Sequence, residues 1–308
     1  MPSFDKWLTD VQSDDPVPRV ARQALKVRLA AVVHFFGQAA RHGKRERMNV
    51  EGVHQLRVWT RRSGAALKLF APVLPRRQAK WLAAKLKEIR GVAGEARDCD
   101  ILLAGLPTTS KNGLAELAKK ILRRRERALG KLTKLHAKLV TRPKLVRQGK
   151  KLRQKIGWRG GTKSIRPPFG PWCRQQLAPL GKKFFPLATG KLVGDQALHQ
   201  TRIAGKRLRY ALELSAAAIP ARRCQRLCEA LSQLQDRLGI VCDRLAGVDR
   251  LQGWLAKAEP GPQQRALRAA LAAEKKQLAH ERRAFARWWT QARQQRLQKM
   301  WEQAIGLG

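Results

Sequence analysis

The 308-residue sequence contains 65 lysines and arginines against 22 aspartates and glutamates, a formal net charge of +43 with an isoelectric point near 11.6. Because most of these cations lack a carboxylate partner, we expect a polyanion to bind: nucleic acid, an anionic membrane surface or a polyphosphate-like polymer. An acidic N-terminal segment, the lack of a long apolar run and five cysteines without a CxxC pair argue against an export signal, a transmembrane segment and structural zinc, so we expect a cytoplasmic protein.

The predicted elements are all helices. Alanine, leucine, arginine, lysine and glutamine dominate, and no segment alternates with a period of two, so the predicted fold class is all-α. In chain order, helices are predicted at about 19–41, 50–70, 76–104, 112–141, 170–189, 195–218, 220–256 and 262–286, followed by a basic-aromatic helix that ends near 305. A basic segment at about 143–169 separates the first four helices from the rest, and its glycines and prolines predict a linker.

Two parts of the sequence repeat at a constant spacing of 145 positions. The segment VHQLRVWTRRSGAALKLF at 53–70 aligns with LHQTRIAGKRLRYALELS at 198–215. In the helix that follows each segment, the aligned pairs are Leu86 and Leu231, Gly94 and Gly239, and Asp98 and Asp243. Agreement across two helices and a turn indicates an internal duplication. We therefore predict two four-helix bundles with antiparallel neighbours, at about 16–142 and about 170–305.

In each repeat, a histidine is the first residue of a stripe of cationic side chains along one face of the helix. At about 100° per helical residue, Arg57, Arg61 and Lys68 lie within about 60° of His54, and the apolar side chains gather on the opposite side. The stripe of the second copy consists of His199, Arg202, Lys206 and Arg209. Arginine can bind phosphate oxygens bidentately, and a histidine beside phosphate is expected to become cationic. The two stripes are therefore candidate phosphate-binding surfaces.

Other basic residues extend this surface. Arg90 and Arg97 lie on the third predicted helix, where Asp98 can orient or pair with a guanidinium group. Arg22 and Lys26 follow one face of the first helix and are expected to contribute in the same way. No cofactor is expected.

Three alternatives to a dedicated polyanion-binding surface remain open. The stripes could be ordinary solvated helix faces. A metal-dependent phosphohydrolase could use His54, Asp98 and Asp100, although carboxylates are scarce and the sequence lacks the GxxxxGK[ST], HExxH and GxSxG motifs. The net charge alone would also suit a nonspecific nucleic-acid-binding protein, but the stripes offer few aromatic residues for base stacking, which favours a ligand without bases.

The two histidine segments, each followed by a helix with glycine and then aspartate, resemble the CHAD family, the conserved histidine α-helical domain. The resemblance covers the chain from about residue 16 to beyond 285, so residues 1–308 are expected to form a single CHAD-like domain. It implies two four-helix bundles related by a pseudo-twofold axis, with a basic groove that binds inorganic polyphosphate without catalysis. It also implies association with polyphosphate granules. Oligomeric state is not implied.

The resemblance also implies which residues bind the polymer. They are His54, Arg57, Arg61 and Arg62 in the first copy, His199, Arg202, Lys206, Arg207 and Arg209 in the second, and Arg90 and Arg97 of the third helix. The second copy has Gln235 and Cys242 where the first has Arg90 and Arg97. We therefore expect the two copies to contribute unequally.

Overall fold

A computed structural model of the chain describes residues 4–41, 46–106, 111–158, 167–190, 192 and 194–306. These residues form ten α-helices and no β-strand, which confirms the predicted all-α class. The helices are α1 (Val17–Ala40), α2 (Glu46–Leu69), α3 (Arg76–Ala104), α4 (Lys111–His136), α5 (Lys144–Gln154), α6 (Phe169–Thr189), α7 (Asp195–Leu212), α8 (Ala221–Leu255), α9 (Pro262–Trp288) and α10 (Gln291–Ile305). No helix in the described ranges is long and apolar enough to cross a membrane.

The structure differs from the sequence prediction at helix ends and in the linker. The helix expected at about 112–141 closes with a π-helical turn at Ala137–Thr141, and the helix expected at about 195–218 ends at Leu212. The first part of the predicted linker forms α5, because Leu145, Gly149 and Leu152 share one buried face among its cations. Linker residues 159–166 lie outside the described residues.

The chain divides into two compact units. The first comprises Met1–Asp100, Arg123–Leu177 and Tyr210–Ala221, and the second comprises Ile101–Leu122, Ala178–Arg209 and Arg222–Gly308. Each unit therefore takes segments from both halves of the sequence. The predicted bundles at about 16–142 and 170–305 do not follow these boundaries, and the two-bundle arrangement stays a prediction.

Aromatic packing fixes the end of α2 within the first unit. Phe70, which follows α2, is fully buried and stacks on Trp172 of α6 with ring centroids 5.7 Å apart. Phe169 lies 6.2 Å from the same phenyl ring. Large buried rings of this kind dominate core energetics and adopt defined relative orientations. The cationic face of α2 is thus held by an apolar anchor at its C-terminal end.

A buried ion pair holds the side of α2 that faces the core of the first unit. Arg62 donates from Nε and Nη2 to the two carboxylate oxygens of Glu213, at 2.7 and 3.1 Å. Glu213 is only 3% exposed, and the guanidinium carbon of Arg62 lies 4.8 Å from the ring centroid of Trp59. Arg62 is therefore part of the core packing, and a ligand could recruit it only in competition with Glu213. Its binding of polyphosphate stays a prediction.

A second guanidinium group depends on the same carboxylate. Arg28 is fully buried and donates to the backbone carbonyls of Asp5 and Lys6. Burial lowers the pKa of Arg28 to about 10, although the Glu213 carboxylate acts in the opposite direction. The nearby Arg62 contributes to this lowered pKa, and Asp5 opposes it. Glu213 thus pairs directly with Arg62 and also acts on the charge of Arg28.

We expect the substitution Glu213→Gln to lower the free energy of unfolding by roughly 3–5 kcal/mol, because it removes the ion-pair partner of Arg62 and the stronger of the two anions that act on the buried Arg28. Urea denaturation followed by far-UV circular dichroism measures the change. Glu116→Gln serves as the control, because Glu116 pairs with Lys119 where both side chains are largely exposed. That change should cost at most about 1 kcal/mol. A loss at Glu213 no larger than that of the control would contradict the assignment.

Candidate polyanion-binding site

On helix α2, the histidine and two of the arginines lie on one face, because the residues of the opposite face pack into the core. Val53, Leu56 and Thr60 are fully buried. His54, Arg57 and Arg61, which the helical period places on the other side, are half-buried. The predicted stripe on α2 therefore exists in the first unit, with its cations at the edge of solvent.

Helix α3 brings two more arginines to this stripe. Arg90 and Arg97 are half-buried, and their charges act on the α2 residues: Arg97 on His54, and both on Arg57. These side chains form what we call the α2–α3 cluster, which consists of His54, Arg57, Arg61, Arg90 and Arg97. The sequence prediction assigned all five to phosphate binding, and the structure brings them together.

The closest approach between the two helices is made by Arg57 over Gly94. A Cβ atom at position 94 would lie 2.5 Å from Nη1 of Arg57, well inside van der Waals contact. With a Cβ atom at this position, the guanidinium end of the Arg57 side chain would have to shift from its place against the α3 backbone. Asp98, one turn further along α3, is exposed and acts on Arg57 as an opposite charge. The glycine and aspartate that repeat in the sequence thus belong to the part of α3 that lies beside the Arg57 guanidinium group.

Positive charge in the cluster is poorly neutralised. Burial lowers the pKa of Arg57, and the neighbouring Arg61 lowers it further. Burial followed by Arg61 has the same effect on the pKa of Arg90. Across the part of the chain that the structure describes, no guanidinium group of the cluster forms an ion pair or hydrogen bond with a side chain. An anion bound here would relieve this repulsion.

His54 is more neutral in this environment than a free imidazole. Burial lowers the pKa of His54 from its usual 6.5, Arg97 lowers it further, and Glu51 opposes the shift. The imidazole is therefore mainly neutral near pH 7 while the cluster is empty. The cationic histidine expected from the sequence requires a nearby anion that outweighs these effects.

The second unit contains a corresponding arrangement on α7 and α8. Arg202 donates from Nη2 to Asp243 at 3.1 Å, and a Cβ atom at Gly239 would lie 3.7 Å from the same nitrogen. His199, one turn before Arg202, is exposed. The arginine three residues after each histidine thus lies near the glycine and aspartate of the next helix in both copies. The contact with glycine is closer in the first copy, and among the described residues the ion pair with aspartate forms only in the second.

The second copy carries fewer cations on its partner helix. Gln235, which replaces Arg90, is 4% exposed, and both polar atoms of its amide are buried without a hydrogen-bond partner among the described residues. Cys242, which replaces Arg97, is buried, and this burial raises the pKa of its thiol. The two copies were expected from the sequence to contribute unequally. The neutral, buried side chains on α8 give a physical reason for this expectation.

The remaining predicted cations of α7 differ in exposure. Arg207 is exposed, whereas Lys206 and Arg209 are half-buried. The Lys206 and Arg202 charges both act on the Cys242 thiol, so these two cations lie on the α8 side of the helix. The binding of polyphosphate by these residues stays a prediction.

Arg22 and Lys26 lie in a different place from the α2–α3 cluster. They line a cleft of about 710 Å³ together with α5 residues, among them Lys150 and Arg153. Arg22 donates to the backbone carbonyls of Arg153 at 3.3 Å and Ile156 at 2.6 Å. A cation at these carbonyls stabilises the C-terminal end of α5. Arg22 therefore ties α1 to α5, and its contact with a ligand stays a prediction.

The two aspartates of the metal-site alternative have different environments. Asp98 is exposed, whereas Asp100 is 9% exposed and accepts a hydrogen bond of 2.6 Å from Nε of Arg125. Two positions apart on a helix, their side chains point in nearly opposite directions. Within the described ranges, no three histidine, cysteine or acidic side chains gather closely enough to hold a metal ion.

The chain is similar to known proteins in sequence and in fold. The family model described as CHAD domain matches residues 30–252. The crystal structure of the CHAD domain from the plant Ricinus communis has 23% identity, covers 91% of this chain and 92% of its own, and gives a TM-score of 0.72. PptA from Streptomyces chartreusis has 16% identity, covers 89% and 99%, and gives a TM-score of 0.61. At these identities the two structures show a common fold. No curated protein matches the sequence.

We expect the substitution Arg97→Gln to raise the pKa of His54, because it removes a nearby cation that opposes protonation. Glu51→Gln should lower the same pKa, because it removes a nearby anion. Titration of the His54 imidazole carbon-bound protons by NMR measures both shifts. Lys87→Gln on the exposed face of α3 is the matched control and should leave the His54 titration in place. An unchanged His54 pKa in Arg97→Gln would refute the electrostatic coupling.

Proposed function

The chain belongs to the CHAD domain family, whose known role is polyphosphate binding, and on this premise we propose that it binds inorganic polyphosphate without catalysing a reaction. The α2–α3 cluster supplies the principal contacts, and the α7 residues of the second copy add further ones. In the cell the protein would be cytoplasmic and associate with polyphosphate granules.

The observation that carries this proposal is the set of guanidinium groups without carboxylate partners on α2 and α3. Burial lowers the pKa values of Arg57 and Arg90, and the nearby charge of Arg61 lowers both further. Each guanidinium can donate two parallel hydrogen bonds to phosphate oxygens, and a chain of phosphates offers such oxygens at every unit. A polyphosphate bound along the cluster would satisfy several arginines at once.

The same cluster suits a ligand without bases better than a nucleic acid. Its five members are cationic or titratable, and none is a tryptophan, tyrosine or phenylalanine, the large aromatic side chains on which bases of single-stranded nucleic acids commonly stack. Backbone-only binding of nucleic acid would use the same charges, so the two ligands must be compared directly. We expect long polyphosphate to bind more tightly than single-stranded DNA or RNA at the same salt concentration.

Asp98 has a supporting role in this proposal. It is exposed beside Arg57, and its charge favours the protonated guanidinium. A metal-dependent phosphohydrolase would need Asp98 as a ligand instead. Release of phosphate from polyphosphate on addition of magnesium or manganese, abolished by Asp98→Asn, would contradict the non-catalytic role.

The double substitution His54→Ala with Arg57→Ala should weaken binding of long polyphosphate by about tenfold or more, because charge-assisted hydrogen bonds contribute about 1.5–3 kcal/mol each. The slope of log affinity against log salt should fall by about 0.7 for each lost phosphate contact, by analogy with single-stranded nucleic acid. Fluorescence anisotropy with labelled polyphosphate at several salt concentrations measures both. His199→Ala with Arg202→Ala should give a smaller loss, because Arg202 is already paired with Asp243.

The chain offers a matched control for this experiment. His280 and Arg283 have the same spacing on α9, and both are exposed. Replacing both by alanine removes the same residue types and the same charge, so affinity for polyphosphate should fall far less than in the His54 and Arg57 variant. Equal losses in the two variants, or equal affinity for polyphosphate, DNA and RNA, would mean that the binding reflects overall charge alone.

The glycine under Arg57 provides an independent test. Gly94→Ala should weaken polyphosphate binding, because the new Cβ atom displaces the Arg57 guanidinium. Gly91→Ala on the same helix meets no atom within 4 Å, so affinity should be retained while stability rises by about 0.5–1 kcal/mol. The two variants are compared by anisotropy and by thermal unfolding. Unchanged affinity in Gly94→Ala would remove Arg57 from the binding site.

A further inference from the structure

The second unit contains a cleft that the polyphosphate proposal does not use. It lies between α8 and α10, has a volume of about 480 Å³ and shares no residue with the α2–α3 cluster. Arg226, Ala230 and Gln233 line it from one face of α8, and Arg293, Arg296 and Met300 line it from one face of α10. A cleft of this volume is of the size that holds a small organic ligand.

A tryptophan at the corner between α9 and α10 closes one end of this cleft. Trp288 is half-buried and stacks on Trp289 at 5.5 Å with an interplanar angle of 22°. Trp289 is itself fixed, because its indole N–H donates to the backbone carbonyl of Ala188 at 2.9 Å. The exposed part of the Trp288 ring is thus held by a buried neighbour and does not need to be ordered when a ligand binds.

Two arginines lie over the same ring. The guanidinium carbons of Arg237 and Arg293 are 4.6 and 5.0 Å from the Trp288 ring centroid. Nucleobases stack on aromatic rings and on guanidinium planes. Because Trp289 and the two guanidinium groups already lie against the Trp288 ring, a flat, unsaturated ligand would stack on the outer side of a guanidinium group that the ring supports.

The charges of the cleft are mixed. The guanidinium groups of Arg226, Arg293 and Arg296 form no ion pair with any residue in the described ranges. The α8 wall also carries the Glu229 carboxylate and the Gln233 amide. A carboxylate would repel a bare phosphate polymer, whereas it can accept a hydrogen bond from the amino group of a base. The ligand should therefore carry both anionic and neutral polar groups.

We propose that this α8–α10 cleft binds a nucleoside di- or triphosphate. The base stacks on the Arg293 guanidinium group that Trp288 supports, its polar edge meets Glu229 and Gln233, and the phosphates are bound by arginines such as Arg296. The site is independent of the polyphosphate site, and either can be present without the other.

Isothermal titration with ATP and with inorganic tripolyphosphate at physiological salt tests this proposal, in the His54→Ala with Arg57→Ala variant so that the α2–α3 cluster does not contribute to tripolyphosphate binding. ATP should bind more tightly than tripolyphosphate, because only ATP has a base to stack. Trp288→Leu should weaken ATP binding by about tenfold and leave tripolyphosphate binding unchanged. Trp288→Tyr, which keeps an aromatic ring, should retain most of the ATP affinity and guards against a loss caused by misfolding. Arg296→Gln, at an exposed position, should weaken both ligands.

Control variants outside the cleft should bind ATP as the unmodified protein does. Trp254→Leu removes a half-buried tryptophan of α8, and Arg222→Gln removes an exposed arginine of the same helix. His54→Ala with Arg57→Ala should also retain ATP binding, and Trp288→Leu should retain polyphosphate binding. Failure of one proposal is thereby distinguished from failure of the other.

Three results would overturn the nucleotide site. They are equal affinity for ATP and tripolyphosphate, ATP affinity that does not depend on Trp288, and Trp288-dependent binding of oligothymidine that is tighter than that of ATP. The last result would assign the cleft to single-stranded nucleic acid instead.

Discussion

The contact between Arg57 and the bare backbone of Gly94 is the constraint on which the candidate site depends. It allows a guanidinium group of α2 to lie against α3, where the charges of Arg90 and Arg97 reach it. A side chain at position 94 would force the guanidinium end of Arg57 to shift. The protein thus concentrates positive charge at a place where helix packing is tight, and an anion is needed to offset the repulsion.

Carboxylates are scarce in this chain, and their distribution separates the structural cations from those available to a ligand. Glu213 is buried with Arg62 and near Arg28, and Asp100 is buried with Arg125. Breaking such buried pairs is costly because it leaves an isolated charge in the core. The cluster on α2 and α3 has no comparable partner, so its electrostatic energy can be used for binding. This difference distinguishes the proposed site from the general basicity of the surface.

Much of the fold and part of the candidate site could be predicted from the sequence. The helical period predicted the helices and the face that His54 and Arg57 share, and the spacing of 145 positions predicted that the second copy repeats this arrangement. The repeat also contained Gly94 and Gly239, but the close approach of Arg57 to Gly94 and the looser one of Arg202 to Gly239 needed coordinates, because they depend on the distance between helices. The partner of Arg62 is 151 positions away, and no local pattern reveals it. Helix α5 was not predicted from the sequence, because its few apolar residues are interspersed with cations.

The most direct measurement of the central claim is a crystal structure of the protein with a short polyphosphate. Phosphate oxygens should lie within hydrogen-bond distance of the Arg57 and Arg90 guanidinium groups, with the His54 imidazole close enough to donate. Arg62 should remain paired with Glu213. A phosphate chain bound only to other basic surfaces, with the α2–α3 cluster unoccupied, would contradict the account.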